Sequence, residues 1–384
     1  MDAKLNQPNG RPRARGLGLP FAANCGANNA LTDVPGVEVG YTTLIEGAGD
    51  LVVGEGPVRT GVTAILPRGH THELPPVWAA MFSLNGNGEM TGAHWINEAG
   101  YFTGPICISN THAIGAVHEA STRWMLKQYG AAFGEYAWAL PVVAETCDAY
   151  LNDMNGFHVR AAHVMAALDG AKGGPLMEGN VGGGTGMICY EFKGGTGTAS
   201  RQVEVAGGSY TVGALVQANH GMRDWLRVCG APVGAHLTDN LLWSAEQGSI
   251  IAIVATDVPL LPIQLQRLAR RISIGIGRAG TPSGNNSGDI FLAFSTANET
   301  PEAQGGASGT GGMGGLQHLD FVPHEALDPV FTAVVESVDE AVINALVAAE
   351  DMTGRDGHCV SAIDHTRLQE VMARYGRAGE GSPR

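Results

Sequence analysis

Charge is scarce in this sequence. Only 16% of its 384 residues are charged, and acids outnumber bases 37 to 23, which leaves a net charge of −14. Nucleic-acid binding needs clustered Lys and Arg against phosphate, so the composition argues against that class of partner. The one basic cluster, Arg11, Arg13 and Arg15, reads as a solvated amino-terminal arm. The six cysteines (Cys25, Cys107, Cys147, Cys189, Cys229 and Cys359) are scattered and form no CxxC pair. That spacing argues against a zinc framework and against a disulfide scaffold. No apolar run approaches the roughly 20 residues that span a bilayer. The opening stretch MDAKLNQPNGRPRARGLGLPF lacks the apolar core of a signal peptide. A soluble, cytoplasmic protein without a membrane partner is expected.

What the chain does have is apolar residues, at 44%, and 56 glycines. That mixture fits a compact fold with many tight turns and excludes a disordered chain. Short β-rich runs recur at Gly61–Pro67, Pro105–Thr111, Leu140–Thr146, Met187–Phe192, Tyr210–Ala218, Ser249–Thr256 and Asp289–Ser295. Several lack polar alternation, as strands buried on both faces do. Helical patterns lie between and after them, at Ile114–Ala139, His158–Ala171, Pro262–Ile272, Asp328–Ala349 and His365–Tyr375. Sheets covered by helices are the simplest architecture for this α/β mixture, and a single domain over 1–384 is expected. Residues 301–316 read as a Gly-rich loop, and the tail from Gly376 as frayed.

Several familiar signatures fail on context. Gly275–Gly280 matches GxGxxG, yet a helical pattern precedes it and a turn follows it, so it reads as a structural glycine turn. The glycines of 180–187 and 193–200 lack the GK[ST] ending of a phosphate loop; they read as tight turns or close backbone approaches around a site. His70, His72 and Glu73 have no third ligand at helical spacing and read as a surface loop; no metal and no cofactor are expected. No serine sits in a GxSxG elbow.

The segment Glu246-Gln247-Gly248-Ser249-Ile250-Ile251 runs a polar loop directly into a buried-type strand, with Ser249 at the junction. Glycine can hold a strained peptide bond there. If Ser249 attacks the preceding carbonyl, an N-to-O acyl shift and hydrolysis free a new amino terminus. Its α-amine has a reference pKa of about 7.7–8.0, suited to act as base for the hydroxyl on the same residue. Taken alone, such a pair is weak evidence, since most Gly-Ser pairs before a strand are turns.

The wider pattern resembles the L-aminopeptidase/D-esterase-amidase family, which includes the β-peptidyl aminopeptidases. The resemblance rests on Ser249–Leu260 and Asn286–Thr296, with Thr32–Gly40, Ser83–Glu89, Gly182–Met187 and Val216–Gly221, in order. It implies an αββα sandwich cut between Gly248 and Ser249 into subunits 1–248 and 249–384, paired as heterodimers and assembled further, as a tetramer of heterodimers. It implies an aminopeptidase for small peptides, amides or esters with a free amino terminus, D- or β-residues included. By the same resemblance Ser249 is the nucleophile, and Asn219, with Gly288, forms the oxyanion hole. Ser287 and Asp289 support the nucleophile and its amine, and Glu145 receives the substrate amine. Where the family carries a tyrosine two positions after that acid, this chain has Cys147, a poorer hydrogen-bond donor. Two other functions stand beside this one. An acyltransferase of the ornithine acetyltransferase type would carry threonine at the cut, where this chain has Ser249. A non-catalytic ligand-binding protein would keep the fold uncut.

Overall fold

A computed structural model of the protein describes residues 2–71, 76–133, 138–298 and 318–377. Two sheets carry the fold. The smaller orders its strands Glu38–Glu46, Val58–Leu66, Ile106–Asn110 and Val142–Thr146. The larger runs Tyr101–Phe102, Val77–Gly86, Gly288–Ser295, Ser249–Thr256, Gly208–Asn219 and Gly195–Val205. Its central pair, Ser249–Thr256 and Gly288–Ser295, is parallel and buried at every position. Burial on both faces explains why these runs show no polar alternation.

Side-chain alternation along Ser249–Thr256 separates the cores. Ile250, Ala252 and Val254 pack under the helices Pro262–Arg278 and Asp328–Ala348, with Leu268 and Val338. Ile251, Ile253 and Ala255 point the other way, onto Ile65, Ile106 and Ala144 of the smaller sheet. A third core joins that sheet's outer face, through Val62 and Ala64, to Trp124 and Leu168 of the helices Ile114–Phe133 and Ala161–Asp169. The order is helix, sheet, sheet, helix: an αββα sandwich. Each fully buried Ile or Leu in these layers contributes about 1.5–3 kcal/mol relative to exposure.

Several sequence expectations change. Gly195–Val205 is an eleven-residue edge strand and not a turn; of the two readings given to its glycines, close backbone approach holds, since a Cβ at Gly195 would lie 2.1 Å from the Gly179 carbonyl oxygen. Met187–Phe192 is not one strand. Ile188–Cys189 and Phe192–Lys193 form a small hairpin, with Tyr190 and Glu191 both at positive φ between them. The helix from Pro262 does not stop at Ile272 but continues to Arg278. It therefore absorbs the first glycines of the GxGxxG match. Gly275 is required by packing, since an added Cβ would lie 2.7 Å from Val338 Cβ on the neighbouring helix. The expected helix at His158–Ala171 is shorter, Ala161–Asp169; that at Ile114–Ala139 is helical over Ile114–Phe133, residues 134–137 lie outside the described residues, and Trp138 and Ala139 are not helical. The Gly-rich stretch 301–316 and the His72–Glu73 part of the HxH motif lie outside the described residues, as does the tail beyond 377. His70 pairs with Glu38 at 2.6 Å.

The basic arm is not solvated. Arg13 is 3% exposed and donates to both oxygens of buried Glu178, at 2.7 and 3.0 Å, and to the Thr198 carbonyl at 2.7 Å. Arg15 pairs with buried Glu340. The amino-terminal segment is thus fastened by ion pairs to the loop at Glu178 and to the helix Asp328–Ala348, and by a hydrogen bond to the strand Gly195–Val205 of the larger sheet. A count of basic residues does not distinguish this from a free arm. No helix among the described residues is long and apolar enough to cross a membrane.

Candidate active site

Register brings the predicted residues into one row. Ser249, the first residue of its strand, pairs with Asn219 on one side and with Gly288 on the other. Two residues back along the same strand as Asn219, Gln217 faces Ile251 and reaches across to the Ser109 carbonyl, at 3.0 Å, and the Thr146 hydroxyl, at 2.7 Å. Strand alternation puts Asn219 on that same face, towards the smaller sheet. Ser249 itself is 5% exposed.

Gly248 packs where no side chain fits. A Cβ there would lie 2.3 Å from the Asn219 carbonyl oxygen and 2.6 Å from His220 Cα. The glycine is needed for this close approach and not for a left-handed backbone, since Gly248 is not among the positive-φ residues. The peptide bond to Ser249 therefore lies against the end of the Gly208–Asn219 strand.

Asn219 is fixed by two hydrogen bonds. Its Oδ1 accepts from the Ile188 N–H at 2.8 Å, and its Nδ2 donates to the Cys147 carbonyl at 3.1 Å. A primary amide has two N–H donors, so one remains beyond the Cys147 bond among the described residues. Cys147 enters the site through its backbone as well as its side chain. Its thiol faces Met154 Sδ at 3.9 Å, and the residue is exposed.

Glu145 ends a strand of the smaller sheet and is 4% exposed. Its Oε1 accepts from the Glu89 N–H at 3.1 Å, and its Oε2 accepts from the Thr111 hydroxyl. Burial pushes its pKa above the usual carboxylate range, and these two donors pull partly against that. Gly88 bridges this acid to the strand row: a Cβ on it would lie 3.0 Å from Glu145 Oε1 and 3.6 Å from Gly288 Cα. Glu145 thus stands across one glycine from the residue that pairs with Ser249.

Ser287 and Asp289 are fully buried, and the Ser287 hydroxyl donates to Asp289 Oδ1 at 2.6 Å. The other Asp289 oxygen accepts from Ser283, which the sequence reading did not single out. Glu246 and His220 also join the site, without a role expected from their sequence context. Glu246 is 6% exposed, accepts from the Gly221 N–H at 2.7 Å and ties the loop before Gly248 to the end of the Asn219 strand. His220 is buried with Nε2 unpartnered, and burial lowers its pKa to about 4, so it is neutral near pH 7. Glu246 lay within the segment already marked by the Gly248-Ser249 junction; only tertiary contact shows what its carboxylate holds.

Beyond Asn219 and Cys147 opens a cavity of about 440 Å3, lined also by Tyr150, Ile188, Trp243 and Arg355. A buried serine at a strand start, in a sandwich of two sheets between helices, fits a hydrolase of the N-terminal-nucleophile fold. The profile of peptidase family S58 matches residues 29–360, and the chain belongs to that family. It is 49% identical over 383 residues to the beta-peptidyl aminopeptidase BapA of Sphingosinicella microcystinivorans, covering 95% of this chain and 93% of that protein. It resembles the solved L-aminopeptidase D-Ala-esterase/amidase of Ochrobactrum anthropi, described as a prototype serine aminopeptidase, with TM-score 0.90 and 54% identity over 96% of this chain and all of that one. The β-aminopeptidase of a Burkholderia species matches with TM-score 0.86 and 46% identity, covering 95% of this chain and 99% of that one.

Proposed function

We propose that this serine aminopeptidase activates itself by cleavage between Gly248 and Ser249, and then removes amino-terminal residues from small peptides, amides and esters. The observation that carries the reading is the row Asn219–Ser249–Gly288, with Gly248 wedged against the Asn219 carbonyl. In the first reaction Ser249 Oγ attacks the Gly248 carbonyl carbon. The C–N bond breaks, the nitrogen takes up the hydroxyl proton, and an ester joins Gly248 to Oγ. Water hydrolyses that ester, which leaves a carboxylate on Gly248 and a free amine and hydroxyl on Ser249.

In the second reaction the Ser249 amine accepts the Oγ proton while Oγ attacks the substrate acyl carbon. The remaining Asn219 N–H, with the Gly288 backbone, stabilises the oxyanion; one such donor typically contributes about 3–4 kcal/mol. The proton passes to the leaving amine or alcohol, and water releases the acyl group. Asp289, held by Ser283 and Ser287, supports the new amino terminus. Glu145 receives the substrate's amine, so D- and β-residues that keep the amine within reach are included. Further assembly of cleaved heterodimers and a cytoplasmic location, which suits six free cysteines, belong to the same proposal.

Kinetics on a free and an acetyl-capped peptide test the reading. The free peptide is hydrolysed and the capped one is not; Glu145→Gln raises KM for the free peptide by about tenfold or more, as loss of a charged hydrogen bond predicts. Because burial raises the Glu145 pKa, kcat/KM falls as pH drops through that raised value, and Glu145→Gln removes this limb. Equal rates on capped and free peptides contradict the role given to Glu145.

A further inference from the structure

The cavity beside Asn219 has an uneven charge. Among the described residues, its lining includes no acid and a single cation, Arg355. The Arg355 Nε is buried without a hydrogen-bond partner among the described residues. Its ion-pair contact among the described residues, Asp356, is 3.9 Å away. That carboxylate already accepts from the Leu51 N–H at 2.8 Å. Other buried or half-buried arginines are treated differently: Arg13, Arg15 and Arg201 each lie within 3.1 Å of a carboxylate, and Arg223 is wrapped by four carbonyls. A guanidinium with an unused N–H, in a cavity that shares Asn219 with the site, is set to take a planar anion.

The rest of the site fixes which anion. Glu145 lies on the Gly88–Gly288 side of Ser249, and the cavity lies on the Cys147 side of Asn219. A substrate with its amine at Glu145 and its acyl carbon at Ser249 therefore sends its leaving residue into the cavity. Two extended residues span roughly 7 Å, and about 440 Å3 suits one amino-acid residue with its side chain. Tyr150 and Trp243, edge to face at 4.9 Å, form an apolar wall there. Resting on the aminopeptidase reading, we infer that Arg355 binds the free α-carboxylate of the leaving residue, so that the preferred substrates are dipeptides with both termini unblocked. The same chemistry has a second source, the carboxylate that self-cleavage creates on Gly248, since Gln247 also lines the cavity.

The test compares the cleaved wild-type protein with Arg355→Gln and Arg355→Lys on an unblocked dipeptide and on its carboxyl-terminal amide. Wild type favours the free acid by about tenfold in kcat/KM, carried by KM, as one charged hydrogen-bonding contact predicts. Arg355→Gln abolishes the preference and leaves the amide unchanged, whereas Arg355→Lys keeps part of it, because the charge stays and the fork is lost. The ratio of the two substrates is its own control for folding. Equal wild-type rates on acid and amide overturn the carboxylate subsite and leave the peptidase reading standing. An equal loss on both substrates in Arg355→Gln also overturns it, and assigns the guanidinium to the chain's own Gly248 carboxylate. Failure of wild type on both substrates overturns the peptidase reading itself, and the subsite with it.

Discussion

Gly248 and Arg355 show how much a single position decides in this site. At Gly248 even a methyl group meets the Asn219 carbonyl at 2.3 Å, so the strand end or the loop must move. Gly248→Ala is therefore expected to slow self-cleavage strongly and to destabilise the protein by about 1–3 kcal/mol, as overpacking does. A gel time course and thermal unfolding measured together check this; wild-type cleavage at unchanged stability contradicts it. The residue types were legible from the sequence, and the reason for the glycine was not. Backbone freedom was the expected cause, but close approach is the one the structure supplies. Asn219 was named as an oxyanion donor, while the Ile188 and Cys147 contacts that aim its amide depend on elements far apart in the chain. Arg355, about a hundred residues after the nucleophile, carried no local signal at all.

At the scale of elements, the amino-terminal segment is fastened to the helix Asp328–Ala348 and the strand Gly195–Val205 rather than hanging free. Arg13 closes a buried fork on Glu178, and removing it leaves an uncompensated buried carboxylate. Arg13→Met is expected to destabilise the protein by about 3–5 kcal/mol. The neighbouring change Arg11→Met, at a partly exposed pair with Glu350, is expected to stay within about 1 kcal/mol. Chemical denaturation of both variants checks the contrast, and equal effects would show that the fork is not what fastens the segment. The strands that could be read from sequence were those buried on both faces, such as Ser249–Thr256, because continuous apolar runs mark them. Gly195–Val205 was missed because its opening residues are Gly, Thr and Ala. Small residues are what its packing against the helix Asp328–Ala348 demands: a Cβ at Gly197 would meet the Ala341 carbonyl oxygen at 2.0 Å.

Across the whole molecule, the proposed cut runs through the middle of the larger sheet. Ser249–Thr256 and Gly288–Ser295, the parallel centre, would belong to one fragment; the flanking strands Val77–Gly86 and Gly208–Asn219 would belong to the other. Fragments interleaved in this way cannot part without exposing two cores, so cleavage should leave the native particle intact. The family resemblance made this architecture legible, while the interleaving comes from strand order, which no local pattern encodes. The central claim is the self-cleavage, and intact mass under denaturing conditions tests it most directly. Purified protein should resolve into chains 1–248 and 249–384, the smaller beginning Ser-Ile-Ile-Ala, while Ser249→Ala remains one uncut chain. A single 384-residue mass from the wild-type protein after long incubation at neutral pH would contradict the account.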